Sequence, residues 1–239
     1  MFDCNVRSGS YSGVKTINYI DTHKESRDRC AEISAWNKDI NEFRRIINIK
    51  GSNGQAMSME EMNIAALDIM AHFTDGRLVL EDTNKYLFGA GQKKFVSEFV
   101  TTRHKNVDLV LLLQSWSKVN PVFAGNASLI RLHCTGDSCD KAKENLCDSY
   151  EVVKLAELIV KRQYNLNNIR FFLYIDLRKY KIIGTNEISF RFACRQFLLI
   201  NPSELKMHMQ MNEISDRDKA IEDWTSEKVR LYLPAVSLK

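Results

Sequence analysis

Proline and glycine are scarce, at 3 and 10 residues in a chain of 239. That leaves little room for long flexible linkers or low-complexity tracts. No block of like charge stands out, and a formal net charge of +4 is too small to mark a nucleic-acid partner by itself. No window reaches the ~18 uninterrupted apolar residues that a membrane-spanning helix needs. The longest apolar run, Val107 to Leu113, is broken by Asp108 and has the length of a strand. The cysteines, at 4, 30, 134, 139, 147 and 194, form no C-x-x-C pair, and His133-Cys134 has no second pair at zinc-finger spacing. A metal cluster is therefore not expected. Scattered thiols without an export signal fit a reducing cytoplasm.

What is present is ordinary for a folded domain: 44% hydrophobic and 27% charged residues, in a chain long enough to bury a core without staples. Thr16–Ile20 and Arg45–Ile49 are short β-rich runs, and apolar positions spaced by three and four over 25–43 predict a helix between them. Gly51-Ser52-Asn53-Gly54 reads as a turn. Ser58 with Glu61 three residues on makes a capping box, opening a helix that runs to about Phe73 and stops at Thr74-Asp75-Gly76. Arg77–Asp82 reads as a strand buried on both faces, 91–104 as a helix, Val107–Gln114 as a second buried strand, and Ser128–His133, which alternates, as a third. Alternating strands and helices predict crossovers and a mainly parallel sheet. Further on, 140–163 reads as helix and Arg170–Asp176 with Lys179–Ile183 as a hairpin. The segment 187–199 suits strand or helix, and 203–230 is a charged helical tail. The expected fold is α/β, with a core over 1–200 and a C-terminal tail over 201–239.

The run RLVLED ends in adjacent carboxylates, Glu81 and Asp82. In open α/β sheets ligands bind beyond the carboxyl ends of the strands. A carboxylate there can hold Mg²⁺ against nucleotide phosphates, usually through water, and its neighbour can orient or deprotonate an attacking water. Acids that merely begin a surface loop are the plainer alternative. The next strand ends at Gln114, whose amide can donate to a phosphate and accept from water.

Three stretches, RLVLEDTNKYL, FVTTRHKNVDLVLLLQSWSKVNP and NASLIRLH, together resemble the FtsK/HerA-type P-loop ATPases. The nearest subgroup is viral: Zot-like phage assembly and DNA-packaging ATPases. INYIDTHKE resembles that family's second strand, with Asp21 at its tip, where Asp21 to Glu25 could face the nucleotide or form a plain polar loop. The likeness covers about 14–200. It implies a RecA-like core, ATP and Mg²⁺ as cofactors, Glu81 and Asp82 as the metal-holding and catalytic acids, and Gln114 as the strand-end sensor. Arg103 matches an arginine near the subunit boundary of these rings, where it could neutralise transition-state charge on a neighbour's nucleotide. As a cation at a helix C-terminus it equally suits the helix dipole. Lys105, Lys118 and Arg131 are candidates for contacts to a DNA backbone in a ring pore.

The departures from the pattern are specific. The family's acid pair usually runs Asp then Glu; here the order is Glu81 then Asp82, which leaves open which holds metal and which is the base. No G-x-x-x-x-G-K-[ST] phosphate loop occurs. In the nearest string, Gly9 to Thr16, the glycine spacing is wrong, Val14 separates Gly13 from Lys15, and a strand-like run follows where a helix is needed. The expectation is a sequence that begins downstream of the loop and binds ATP poorly alone.

The resemblance implies a subunit of a homo-oligomeric ring that moves or packages DNA, with viral structural proteins as further partners, in the host cytoplasm and without a transmembrane segment. The alternative is a catalytically inactive interaction or assembly protein on the same fold. A small acid-dependent nuclease would need a further carboxylate or basic partner near Glu81 that the sequence does not supply.

Overall fold

A computed structural model describes residues 15–20, 31–33, 35, 45–50, 55, 58–80 and 91–234. The fold is mixed α/β, and the chain divides into two compact units, Met1–Gln114 and Ser115–Lys239. The boundary falls inside the 1–200 span expected to form one core.

In the first unit, β1 (Lys15–Ile20) pairs in parallel with β2 (Arg45–Lys50), in register from Lys15↔Arg45 to Ile20↔Lys50. Residues 31–33 and 35, between them, are helical. The capping box is formed: the Ser58 hydroxyl accepts from the Glu61 N–H, and the Glu61 carboxylate accepts from the Ser58 N–H. Those bonds hold the Glu61 carboxyl below its ordinary range. Helix α1 (Met59–His72) buries Ala65, Ala66, Leu67, Ile69 and Met70, a broad apolar side within which 66, 69 and 70 keep the helical three-to-four spacing. Helix α2 is Gly91–Thr101, extended by a 3₁₀ turn over Thr102–Lys105.

Strand β3 (Gly76–Leu80) pairs in parallel with β4 (Val107–Leu111). Leu78 and Leu80 are buried, but Val110 and Leu112 are 37% and 44% exposed. β4 is therefore not buried on both faces as its apolar composition suggests. It also ends at Leu111, so Gln114 lies three residues past the strand rather than in it.

The second unit holds β5 (Leu129–His133), β6 (Phe172–Asp176) and β7 (Lys181–Ile183) in an antiparallel sheet of order β5-β6-β7. This corrects the expected parallel placement of Ser128–His133. The reason lies in its alternation: Ile130 and Leu132 face inward while Leu129, Arg131 and His133 face out. Such a strand suits an antiparallel sheet with one solvated face, whereas a parallel sheet is covered on both. The β6–β7 hairpin is as expected. Its turn is set by the Asp176 carboxylate, which accepts from the N–H groups of Arg178 and Lys179, and by Tyr180 at φ 50°.

Helices α3 (Pro121–Asn126), α4 (Lys143–Leu146), α5 (Tyr150–Asn165), α6 (Glu187–Ile200), α7 (Pro202–Met211) and α8 (Arg217–Tyr232) complete this unit. The ambiguous 187–199 segment is thus a helix, opened by the Asn186 side chain, which accepts from the Ser189 N–H. Val152, Val153, Leu155, Ala156 and Ile159 of α5 pack with Phe190, Ala193 and Phe197 of α6 and with the inner sheet face at Leu132, Leu173, Ile175 and Ile182. The charged tail belongs to the same core. Trp224 of α8 is 4% exposed and stacks on Phe197, ring centroids 5.6 Å apart. Lys181 donates from Nζ to the carbonyls of Arg230, Leu231 and Leu233, satisfying acceptors that a helix end leaves open.

Replacing Trp224 by Ala should cost the second unit about 3–5 kcal/mol, read as a lowered urea midpoint of that unit. A change under about 0.5 kcal/mol would mean that α8 lies outside the cooperative core.

Candidate functional site

The site expected from the sequence lies at the carboxyl ends of β3 and β4. Their pairing runs from Gly76↔Val107 to Leu80↔Leu111, and the Leu112 N–H donates to the Leu80 carbonyl at 3.1 Å. The two strands therefore end level with each other. The register is set at the opposite end. Asp75 and Asn106 both adopt left-handed backbone, at φ 55° and 54°, and the Asn106 amide donates to the Asp75 carboxylate at 3.2 Å. The Asp75 N–H donates to the Lys105 carbonyl, and the Gly76 N–H to that of Asn106. Lys105 Nζ donates to the carbonyls of Met70 and Ala71 at the end of α1 and to the Glu98 carboxylate on α2. Arg77 pairs with Asp108 across the strands at 3.0 Å.

Of the residues singled out from the sequence, Asp21, Glu81 and Asp82 lie outside the described residues. Gln114 is exposed, past the carboxyl end of β4 and last in the first unit. Arg103 lies on the 3₁₀ turn that feeds the amino end of β4. The length of β4, about 13 Å at 3.3 Å per residue, separates it from the end that leads to Gln114. Along the chain Arg103 precedes the amino end of β4 and Gln114 follows its carboxyl end. Lys105 is not poised for DNA, because its ammonium is committed to the α1 carbonyls and Glu98. Among the described residues no group of three or more His, Cys, Asp and Glu side chains could hold a metal ion, and no helix is long and apolar enough to cross a membrane.

Sequence patterning missed a buried charged cluster in the second unit. Lys154 and Glu157 of α5 are 5% and 3% exposed. Lys154 Nζ donates to the Glu157 and Asp140 carboxylates and to the Ser138 hydroxyl, at 3.0, 2.8 and 2.9 Å. Glu157 also accepts from the Cys139 N–H at 2.9 Å and pairs with Lys161 at 3.1 Å. The i,i+3 spacing of Lys154 and Glu157 was the available signal, but it reads equally well as a solvated helix pair. The cluster borders an open pocket lined by Asp140, Lys143, Tyr150, Lys154, Ile200 and Asn201. All three ammonium protons of Lys154 are used within the protein, so it is neither a free base nor a nucleophile. Burial, then the Glu157 charge, pushes the Cys139 thiol far up, which removes it as a thiolate nucleophile.

Compared with protein-family models, curated proteins and solved structures, the chain has no significant match.

The buried cluster makes stability depend on pH. Burial raises the Glu157 pKa, but the Cys139 N–H and Lys154 outweigh it and hold the carboxyl below its ordinary 4.5. Asp140 is likewise lowered to about 2 against burial, by the hydrogen bonds from Lys154, Tyr150 and Ser138. Lys154 is raised above its ordinary 10.5 despite its burial, by Asp140 and Glu157. Depressed acids stabilise above their unfolded pKa and lose that contribution as pH falls through the folded one; a raised lysine does so below its unfolded pKa and loses it as pH rises. The urea midpoint of the second unit should therefore hold between about pH 5 and 10 and fall below about 4.5. Lys154→Met alone should cost about 1.5–3 kcal/mol at neutral pH, because Glu157 keeps only Lys161 and the Cys139 N–H, and adding Glu157→Leu should recover part of it. An unchanged midpoint in the single variant would rule out a paired, buried Glu157.

Proposed function

We propose that the first unit is the strand-end half of an ATP site on a RecA-like core. The chain would then be a subunit of a ring-forming FtsK/HerA-type motor that moves or packages DNA. The observation that supports this is the in-register parallel pairing of β3 with β4. Glu81 follows Leu80 directly in sequence, and Gln114 follows Leu111 by three residues, so both segments leave from strand ends that lie side by side. Adjacent parallel strands with level carboxyl ends are where α/β folds collect phosphate and metal ligands.

In this reading one of Glu81 and Asp82 holds Mg²⁺, through water, and the other orients or deprotonates the attacking water. Mg²⁺, when bound, supplies charge neutralisation at the phosphates. The Gln114 amide donates to a γ-phosphate oxygen. Arg103, at the far end of β4, acts only on a neighbouring subunit's nucleotide. The phosphate cradle has to come from a segment other than this sequence, which has no G-x-x-x-x-G-K-[ST].

That missing motif favours a second reading, a catalytically inactive assembly protein on the same fold. The binding of a fluorescent ATP analogue separates the two: tight binding by this chain alone argues against the inactive protein.

With a phosphate-loop segment supplied, the chain should hydrolyse ATP only in the presence of Mg²⁺. Glu81→Gln or Asp82→Asn should lower turnover by about 10²–10⁴-fold, and Gln114→Ala should lower kcat more than it raises KM. Turnover absent with the loop supplied, or intact in both acid variants, would sink the motor reading.

A further inference from the structure

The outward face of the β5–β6–β7 sheet carries rings and a cation rather than the short polar side chains of an ordinary solvated face. Register aligns Ile183, Tyr174 and Arg131 in one row, and sets Phe172 opposite His133 in the next. The Arg131 guanidinium lies over the Phe172 ring, 4.0 Å from its centroid. Phe172 meets Tyr174 edge-on at 5.5 Å and His133 at 5.3 Å. Phe172 and Tyr174 take no part in the core beneath, which uses Leu173 and Ile175 of the same strand. Burial and the nearby Arg131 charge hold His133 below its ordinary 6.5, so at neutral pH it is an uncharged ring.

The charge around these rings is one-sided. Over 128–133 and 170–183 stand Arg131, Arg170, Arg178, Lys179 and Lys181 against Asp176 alone. Lys181 is spent on the α8 carbonyls, whereas Arg131, Arg170, Arg178 and Lys179 are exposed. A face that joins flat π surfaces to an excess of cations complements a polymer that alternates flat bases with phosphates. Duplex DNA keeps its bases stacked inside and cannot lay them on a sheet, whereas a single strand can.

We propose that this sheet face binds single-stranded nucleic acid by stacking bases on Tyr174 and on the Arg131–Phe172 layer. The guanidinium plane, fixed over Phe172, offers its outer side to a base, and Arg170, Arg178 and Lys179 meet the phosphates. The site uses none of the residues assigned to the nucleotide site, so it stands whether or not the chain hydrolyses ATP.

The test is fluorescence anisotropy of a labelled oligothymidylate titrated with the full chain in the absence of nucleotide. Saturable binding is expected, with a matched duplex bound more weakly. Phe172→Leu and Tyr174→Leu should each weaken binding about ten-fold. Arg131→Gln should weaken it by removing the stacking plane, and Arg178→Gln should reduce the slope of log affinity against log salt by about 0.7. Circular dichroism melts identify any variant that fails to fold. Photocrosslinking of the unaltered chain to oligothymidylate needs no variant, and should label Phe172 or Tyr174. No binding, a duplex preferred and indifferent to Phe172→Leu, or crosslinks confined to other segments would each overturn the proposal.

Discussion

The level ending of β3 and β4 is the constraint on which the functional reading of the first unit depends, and it is set from the other end of the strands. Lys105 carries a positive charge to the open carbonyls of α1 and to Glu98 of α2. Its own carbonyl takes the Asp75 N–H. With Asp75 and Asn106 both in left-handed backbone and bonded to each other, β3 and β4 start level. Strands of equal length that start level end level. A slip of one residue would turn every side chain of β4 to the opposite face and carry Gln114 away from the segment that follows Leu80. The chemistry proposed at one end thus depends on polar contacts at the other.

The second unit solves a different problem. Its sheet is covered on one face only, so its strands divide their residues between a core and a surface. The core side joins α5, α6 and α8 into one apolar body. Lys154 and Glu157 are the exception, charged groups held inside because each finds several partners. Removing both partners is less costly than removing one, since an unpaired buried charge is what the interior resists. Among the described residues, the outer side adds nothing to that core, and it carries the rings of Phe172 and Tyr174 and the charge of Arg131.

The two proposals meet in a motor that handles nucleic acid, but they stand on separate units and separate residues. A strand-end site without its own phosphate loop and a sheet face suited to single strands also fit a chain that binds nucleic acid without turning over ATP. The two kinds of activity are measured independently, so either can stand alone.

Much of the local structure was legible in the residues. Ser58 and Glu61 announced the start of α1, and the closely spaced runs Arg170–Asp176 and Lys179–Ile183 announced the hairpin. These signals act over a few residues, so sequence alone carried them. Pairing partners were another matter. Ser128–His133 showed its one-sided alternation plainly, yet the strand that takes its edge lies about forty residues on, and nothing local names it. Burial of β4 was misjudged for a related reason: composition says which residues tolerate burial, not whether another layer arrives to cover them. Lys154 and Glu157 stand three residues apart on α5, and only packing shows that water is excluded from them. What the sequence alone determined was most of the helices and strands, and which carboxylates and amide follow two of the strands along the chain. The tertiary structure decided which strands are neighbours, which faces stay open and which charges are sealed, because those depend on contacts between residues far apart in the chain.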